Sequence, residues 1–140
     1  MELESIMLVE DNADDEALAL RAFQKQEIRN KVIVARDGEE ALDFLLNKSL
    51  SEYPRVIFLD LNLPKKNGLE VLEKLRSNKK TSLIPVVVLT SSNEDIDKKK
   101  SYQLGANSYV QKPVDFNEFL KVVQNLGSYW LKFNKHALVQ

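Results

Sequence analysis

Four polar stretches stand out because each follows directly on an apolar run. Glu10 and Asp11 follow "IMLV", Asp60 follows "VIFL", Thr90 and Ser91 follow "VVVL", and Lys112 and Pro113 follow the stretch around Tyr109–Val110. A carboxylate in such a place has two readings. Asp60 either caps the turn "LNLPKKNG" or serves as a nucleophile or metal ligand in a pocket. If the four stretches meet, three carboxylates, a hydroxyl and an ammonium share one small volume. Like charges at close range raise one another's pKa and repel. A divalent cation makes such a cluster tolerable. The chain has no Cys, and its single His, His136, stands near the C-terminus. Oxygen ligands alone suit a hard ion, Mg²⁺ first. A cation and Lys112 around a carboxylate suit a phosphoryl group, which an Asp can accept covalently as an acyl phosphate.

Whether the stretches meet depends on the elements that carry them. Apolar runs at Ile6–Val9, Val32–Ala35, Val56–Leu59, Val86–Leu89 and around Tyr109–Val110 predict five strands buried on both faces. Helix-like stretches separate them. "DDEALALRAFQKQ" places Ala17, Leu20 and Phe23 near one face; "EEALDFLLNK" does so with Ala41, Leu42, Leu45 and Leu46; "GLEVLEKLRS" with Leu69, Leu72 and Leu75. "NEDIDKKKSYQLG" is mostly polar, with Glu94–Lys98 and Asp95–Lys99 as expected i,i+4 pairs and Gly105 as its C′ residue. "DFNEFLKVVQNLGSYW" repeats Phe116, Phe119, Leu120, Val123 and Leu126 at helical spacing. Either Asn12 or Asp14 is expected to cap the first helix. Alternating strands and helices predict an α/β fold: a flavodoxin-like, doubly wound, five-stranded parallel sheet in the order 2-1-3-4-5 with five helices. Ligands of such sheets bind beyond the carboxyl ends of the strands, where the four polar stretches lie.

A chain of 140 residues with 44% hydrophobic and 29% charged residues suits one soluble globular domain. A net charge of −1 argues against an electrostatic grip on nucleic acid or an anionic membrane. The start "MELESIMLVED" lacks a basic, apolar signal pattern, and no aliphatic run is long enough to span a bilayer, so a cytoplasmic location is expected.

Taken together, "LVEDN", "FLDLNLPKKNG", "VVVLTSS" and "YVQKP" resemble a response-regulator receiver domain of two-component signalling. The likeness covers roughly Ser5 to Leu126. It is closest to the single-domain regulators associated with cyanobacterial phytochromes and related sensor kinases. The resemblance implies a receiver domain over 1–126 and a C-terminal extension over 127–140 that continues the last helix, with no output domain. It implies Asp60 as phosphoacceptor, Asp11 as a direct Mg²⁺ ligand, Glu10 acting through a metal-bound water, and Asn62 supplying a backbone carbonyl. The Asn62 side chain would influence the lifetime of the phosphoryl group. Thr90 and Lys112 would bond its oxygens. Tyr109 would be an aromatic switch following Thr90, and Lys112–Pro113 a cis peptide. The implied donor is a phosphohistidine on a sensor histidine kinase of phytochrome-like or hybrid type, and the implied output is an unknown downstream protein. Phosphotransfer and autodephosphorylation would be self-catalysed, so the chain is not expected to be an enzyme in its own right. The Glu10–Asp11 pair departs from the more usual Asp-Asp.

Each residue also has a plainer reading. Glu10 and Asp11 serve equally as acidic residues before a helix N-terminus. Thr90 can cap a turn, Tyr109 can be core, and the Lys98–Lys100 run can be a solvated face. Tyr129, Trp130 and Phe133 either pack on the domain's own surface or form a homodimer or partner contact. Three rival functions are weakened by single features. A phosphatase using an aspartyl-phosphate would want an acid-base Asp where Asn62 stands. A flavin carrier would want a phosphate loop where "EDNADD" is acidic and free of glycine. A transcription factor would want a basic charge balance.

Overall fold

Period-two burial organises the molecule. In a computed structural model describing residues 4–47, 52–135 and 137, alternate residues of the central strands feed two apolar layers. Met7, Val9, Ile57 and Leu59 pack with Ala41, Leu42, Leu45, Val71, Leu72 and Leu75 on one face. Ile6, Leu8, Val56 and Phe58 pack with Ala19, Ala22, Phe23, Phe119, Leu120 and Val123 on the other. The strands are β1 (Ile6–Val9), β2 (Val32–Ala35), β3 (Val56–Leu59), β4 (Val86–Thr90) and β5 (Ser108–Gln111). They pair in parallel in the order β2-β1-β3-β4-β5. The helices are α1 (Ala13–Lys25), α2 (Gly38–Leu46), α3 (Gly68–Ser77), α4 (Asp95–Gln103) and α5 (Phe116–Ser128). The α/β class, the strand order and the five helices are those expected. Among the described residues no helix is long and apolar enough to cross a membrane.

Helix starts follow from side-chain caps. Asn12, Asp37, Asn67 and Asp115 each accept a hydrogen bond from the backbone N–H three residues on, and Asn67 with Glu70 completes a capping box. Of the two cap candidates for α1, Asn12 is the one used. Gly105 follows the C-cap Leu104 with φ +101°, the left-handed conformation that favours glycine at C′.

Several local expectations are corrected, and Leu46 and Phe116, expected on apolar helix faces, are exposed. The buried stripe of α1 is Ala19, Ala22 and Phe23, while Ala17 is exposed and Leu20 half-buried. Phe23 fixes the helix rotation by packing its ring 5.8 Å from Phe58, and the small alanines let the helix lie close to the sheet. On α4 the ion pair is Asp95–Lys98 at 3.7 Å, not Glu94–Lys98 or Asp95–Lys99. Glu94 has an extended backbone at the N-cap and so lies off the helical lattice. Helix α4 is shallowly seated, with Ser101 its one buried residue.

Past Ser128 the chain widens into a π-helical turn, Tyr129–Phe133. Trp130 folds back into the α1–α5 layer, whereas Tyr129 and Phe133 stay exposed. Arg55 Nη2 holds the end of this turn through the Asn134 carbonyl at 3.0 Å. His136 and residues 138–140 of the expected extension lie outside the described residues.

Arg76, at the end of α3, ties three segments together. Its Nε donates to Gly105 O (2.9 Å), Nη1 to Ser82 O (3.0 Å) and Ile84 O (2.8 Å), and Nη2 to Asn107 Oδ1 (3.0 Å). Asn107 Oδ1 also accepts from Val86 N at 2.8 Å. Arg76→Met is expected to lower stability by about 2–4 kcal/mol, because several acceptors lose a charged donor at once. Urea unfolding monitored by circular dichroism checks this, and a loss under about 0.5 kcal/mol would contradict it.

Candidate functional site

The parallel sheet brings the four polar stretches to one edge. Backbone bonds extend the strand register outward: Glu10 N donates to Ala35 O (2.9 Å), Asp60 N to Val9 O (3.1 Å) and Lys112 N to Thr90 O (2.7 Å). Glu10, Asp60, Thr90 and Lys112 are therefore all buried. Asp11 and Asn62 stand at the exposed rim. The turn after Asp60 folds back closely. Gly68 lies so near that a Cβ there would sit 2.4 Å from the Asp60 carbonyl oxygen.

Lys112 Nζ is the centre of the pocket. It donates to Asp60 Oδ2 (2.9 Å), to Asp15 Oδ2 (2.9 Å) and to Glu10 Oε1 at very short range. The second Asp60 oxygen, Oδ1, accepts from the Thr90 hydroxyl (2.8 Å) and the Asn62 N–H (3.1 Å). The second Glu10 oxygen accepts from Asn12 N at 3.1 Å. Burial would by itself pull the Lys112 ammonium down, but Glu10, Asp60 and Asp15 outweigh it and hold it above its ordinary range. Burial pushes the Glu10 carboxyl up to about 7 against the pull of Lys112, and the Asp60 charge pushes the same way.

The donor set fits a hard divalent cation. Glu10, Asp11 and Asp60 each offer an oxygen, and these atoms lie within 4.8 Å of one another. Four carboxylates, counting Asp15, face a single ammonium, so the pocket carries excess negative charge that a cation would offset.

A chain of bonds leads away from Asp60 through Thr90. Ser92 N lies 3.5 Å from Thr90 Oγ1, and the Tyr109 hydroxyl donates to Ser92 O at 3.0 Å. The Ser92 hydroxyl bonds Asp97 in the first turn of α4. Burial pushes the Tyr109 phenol up, aided by the Asp97, Asp60 and Glu94 charges and opposed by its bond to Ser92. Beside this network a surface cavity of about 380 Å³ is lined by Leu61, Asn62, Leu63, Asn67, Leu69 and Asp97.

Two findings differ from the sequence reading. All described peptide bonds are trans, Lys112–Pro113 included, so the expected cis bond is corrected. The trans form is the intrinsically favoured one, and with it Lys112 makes both its backbone bond to Thr90 and all three side-chain contacts. Asp15 was missed. It reads as one acid among several in the first turn of α1, and nothing in its spacing sets it apart from Asp14 and Glu16.

The chain matches the family model described as "Response regulator receiver domain" over residues 6–124. It is 39% identical over 135 residues to the "Probable methanogenesis regulatory protein FilR2" of Methanothrix harundinacea, covering 93% of this chain and 85% of that one. It is 40% identical over 130 residues to "Response regulator Rcp1" of Synechocystis sp., covering 91% and 88%. The solved Mn²⁺-bound form of Rcp1 superposes with a TM-score of 0.88 at 38% identity, covering 95% of this chain and 98% of that one. The phosphorylated cyanobacterial phytochrome response regulator RcpA superposes at 0.90 with 35% identity, covering 96% and 99%.

The raised Glu10 carboxyl makes cation binding pH-dependent in a defined direction. A proton on Glu10 competes with the cation, so affinity should fall as pH drops through about 7. Titration with Mg²⁺ at pH 8 and pH 6 should show roughly tenfold weaker binding at pH 6, and Glu10→Gln should remove most of that difference. Equal affinity at both pH values in the wild type would contradict the assignment.

Proposed function

We propose that this chain, which belongs to the response regulator receiver domain family, accepts a phosphoryl group on Asp60 from a phosphohistidine of a sensor histidine kinase and signals to a partner protein through a conformational switch. The observation that carries this reading is the Asp60 carboxylate itself. It is buried, contacted on one oxygen by Lys112 and on the other by Thr90, and it stands beside Glu10 and Asp11. The phosphorylated state of RcpA and the Mn²⁺ in Rcp1 support the same chemistry by analogy.

In the proposed step an Asp60 oxygen attacks phosphorus. The P–O bond forms as the P–N bond to the donor imidazole breaks, and the bonding pair leaves on that nitrogen. Glu10, Asp11, Asp60 and the Asn62 carbonyl would hold Mg²⁺. The cation, when bound, supplies positive charge that offsets repulsion between the carboxylate and the incoming phosphoryl group. Lys112 faces the charge on the transferred oxygens. The Thr90 hydroxyl, now on Asp60 Oδ1 at 2.8 Å, turns toward a phosphoryl oxygen. That turn disturbs the Ser92–Tyr109–Asp97 bonds and so reaches β5 and the start of α4. Asn62 at the exposed rim would influence how long the acyl phosphate lasts.

The receiver unit is taken as residues 1–126 and the extension as 127–140. Of the aromatic residues considered for a homodimer or partner contact, Trp130 belongs to the domain's own core, which leaves Tyr129 and Phe133. Replacing both with Ser should preserve the circular dichroism spectrum and reduce any dimer seen by light scattering; an unchanged oligomeric state would remove this role.

The decisive test of the function is intact-mass measurement after incubation with acetyl phosphate. A gain of one phosphoryl group that requires Mg²⁺ and is lost in Asp60→Asn, with the fold retained, is the expected result. Labelling of Asp60→Asn at the wild-type level would overturn the assignment.

A further inference from the structure

The Lys112 ammonium has three N–H donors and meets three carboxylates: Glu10, Asp60 and Asp15. Each donor is therefore taken before any phosphoryl group arrives. The three partners differ in what else can engage them. Glu10 and Asp60 belong to the cluster able to hold a cation, and Asp60 is also the proposed acceptor. Asp15 belongs to neither category. Its side chain is 28% exposed, against 3% and 7% for Glu10 and Asp60, so it stands at the mouth of the pocket.

Asp15 is also held in place. It lies in the first turn of α1, where its N–H donates to the Asn12 cap at 3.0 Å. Cation binding and phosphorylation each draw on Glu10 or Asp60. Neither event has a direct claim on Asp15. After both, Asp15 still offers Lys112 a carboxylate at ion-pair distance.

We infer that Asp15 is a positioning residue that restrains phosphorylation: it holds part of the Lys112 ammonium away from the phosphoryl oxygens and keeps one negative charge at the mouth through which an anionic phosphodonor enters. This rests on the proposed receiver reading and adds a residue to it. The sign follows from charge. Removing the Asp15 carboxylate frees one Lys112 donor for the phosphoryl group and lessens repulsion of the donor.

The test compares Asp15→Asn with the wild type and with Asp14→Asn, using acetyl phosphate and Mg²⁺ with intact-mass detection. Asp14 is an exposed acid in the same turn that has no bond to Lys112, so its variant carries the same change in net charge without the contact. Asp15→Asn keeps the side-chain shape and is expected to be phosphorylated about fivefold faster, with the gain shrinking as salt rises from about 0.01 to 0.5 M. Asp15→Glu, which restores the charge, should return toward the wild-type rate. Asp15→Ser provides a second uncharged variant, with circular dichroism confirming the native fold of each. A rate for both uncharged variants at or below that of the wild type overturns the inference, as does an equal gain in Asp14→Asn. If the wild type itself shows no Mg²⁺-dependent labelling that Asp60→Asn abolishes, the receiver reading fails and the inference fails with it.

Discussion

Four carboxylates share the carboxyl edge of the sheet with one ammonium, and Lys112 is what lets the fold tolerate them. Burying charges is costly unless they are paired and hydrogen-bonded, and an uncompensated buried carboxylate is worse than a paired one. Glu10 and Asp15 are neighbours across the β1–α1 turn, but Asp60 and Lys112 come from distant parts of the chain, so the pairing exists only when β1, β3 and β5 are in register. Such a pocket is a weak source of stability. The two apolar layers on either side of the sheet have to supply it, and the residues under the pocket are fully buried aliphatic side chains such as Val9, Leu59 and Val88.

The stability is unevenly spread. Helices α1, α2, α3 and α5 each bury several residues, while α4 buries only Ser101. What holds the start of α4 is polar: Ser92 to Asp97, and through Ser92 to Tyr109 and Thr90. An element with few buried apolar contacts has a lower local cost of movement than its neighbours. The proposed switch thus acts where the fold resists least. Arg76 anchors the opposite end of α4 through Gly105, so a shift of the start of α4 would pivot about its tethered C-terminal end.

The fold was legible because five apolar runs alternate with helical periodicity, and parallel topology then dictates which strand ends meet. That placed Glu10, Asp11, Asp60, Thr90 and Lys112 together without any contact being known. What escaped depended on three-dimensional choices that periodicity does not encode. The rotation of α1 was set by one ring contact, Phe23 on Phe58, rather than by the strongest apolar spacing. Of the three tail aromatics that could pack on the domain's own surface, only Trp130 does so, within a π-helical turn after Ser128, and spacing does not distinguish it from Tyr129 and Phe133. Asp15 was hidden among equivalent acids, and only the helix start directs it toward Lys112 while Asp14 points to solvent. Arg76 was silent in sequence because its partners are mostly backbone carbonyls, which every residue possesses.

The same charge arrangement would bear on the fate of a phosphoryl group placed on Asp60 as proposed. Hydrolysis of an acyl phosphate is fast when a positioned base activates water. Glu10 and Asp15 are both engaged by Lys112, and Asp11 stands in the cation cluster. Beside Asp11 at the rim, where water would approach, stands the neutral amide of Asn62. An amide can orient water but cannot take its proton at neutral pH. Under the proposed function, the pocket would offer many groups that stabilise negative charge on phosphoryl oxygens and few unpaired bases, an arrangement that would slow hydrolysis of an aspartyl phosphate. A phosphatase built on the same sheet would need the reverse balance, with an unpaired carboxylate where Asn62 stands.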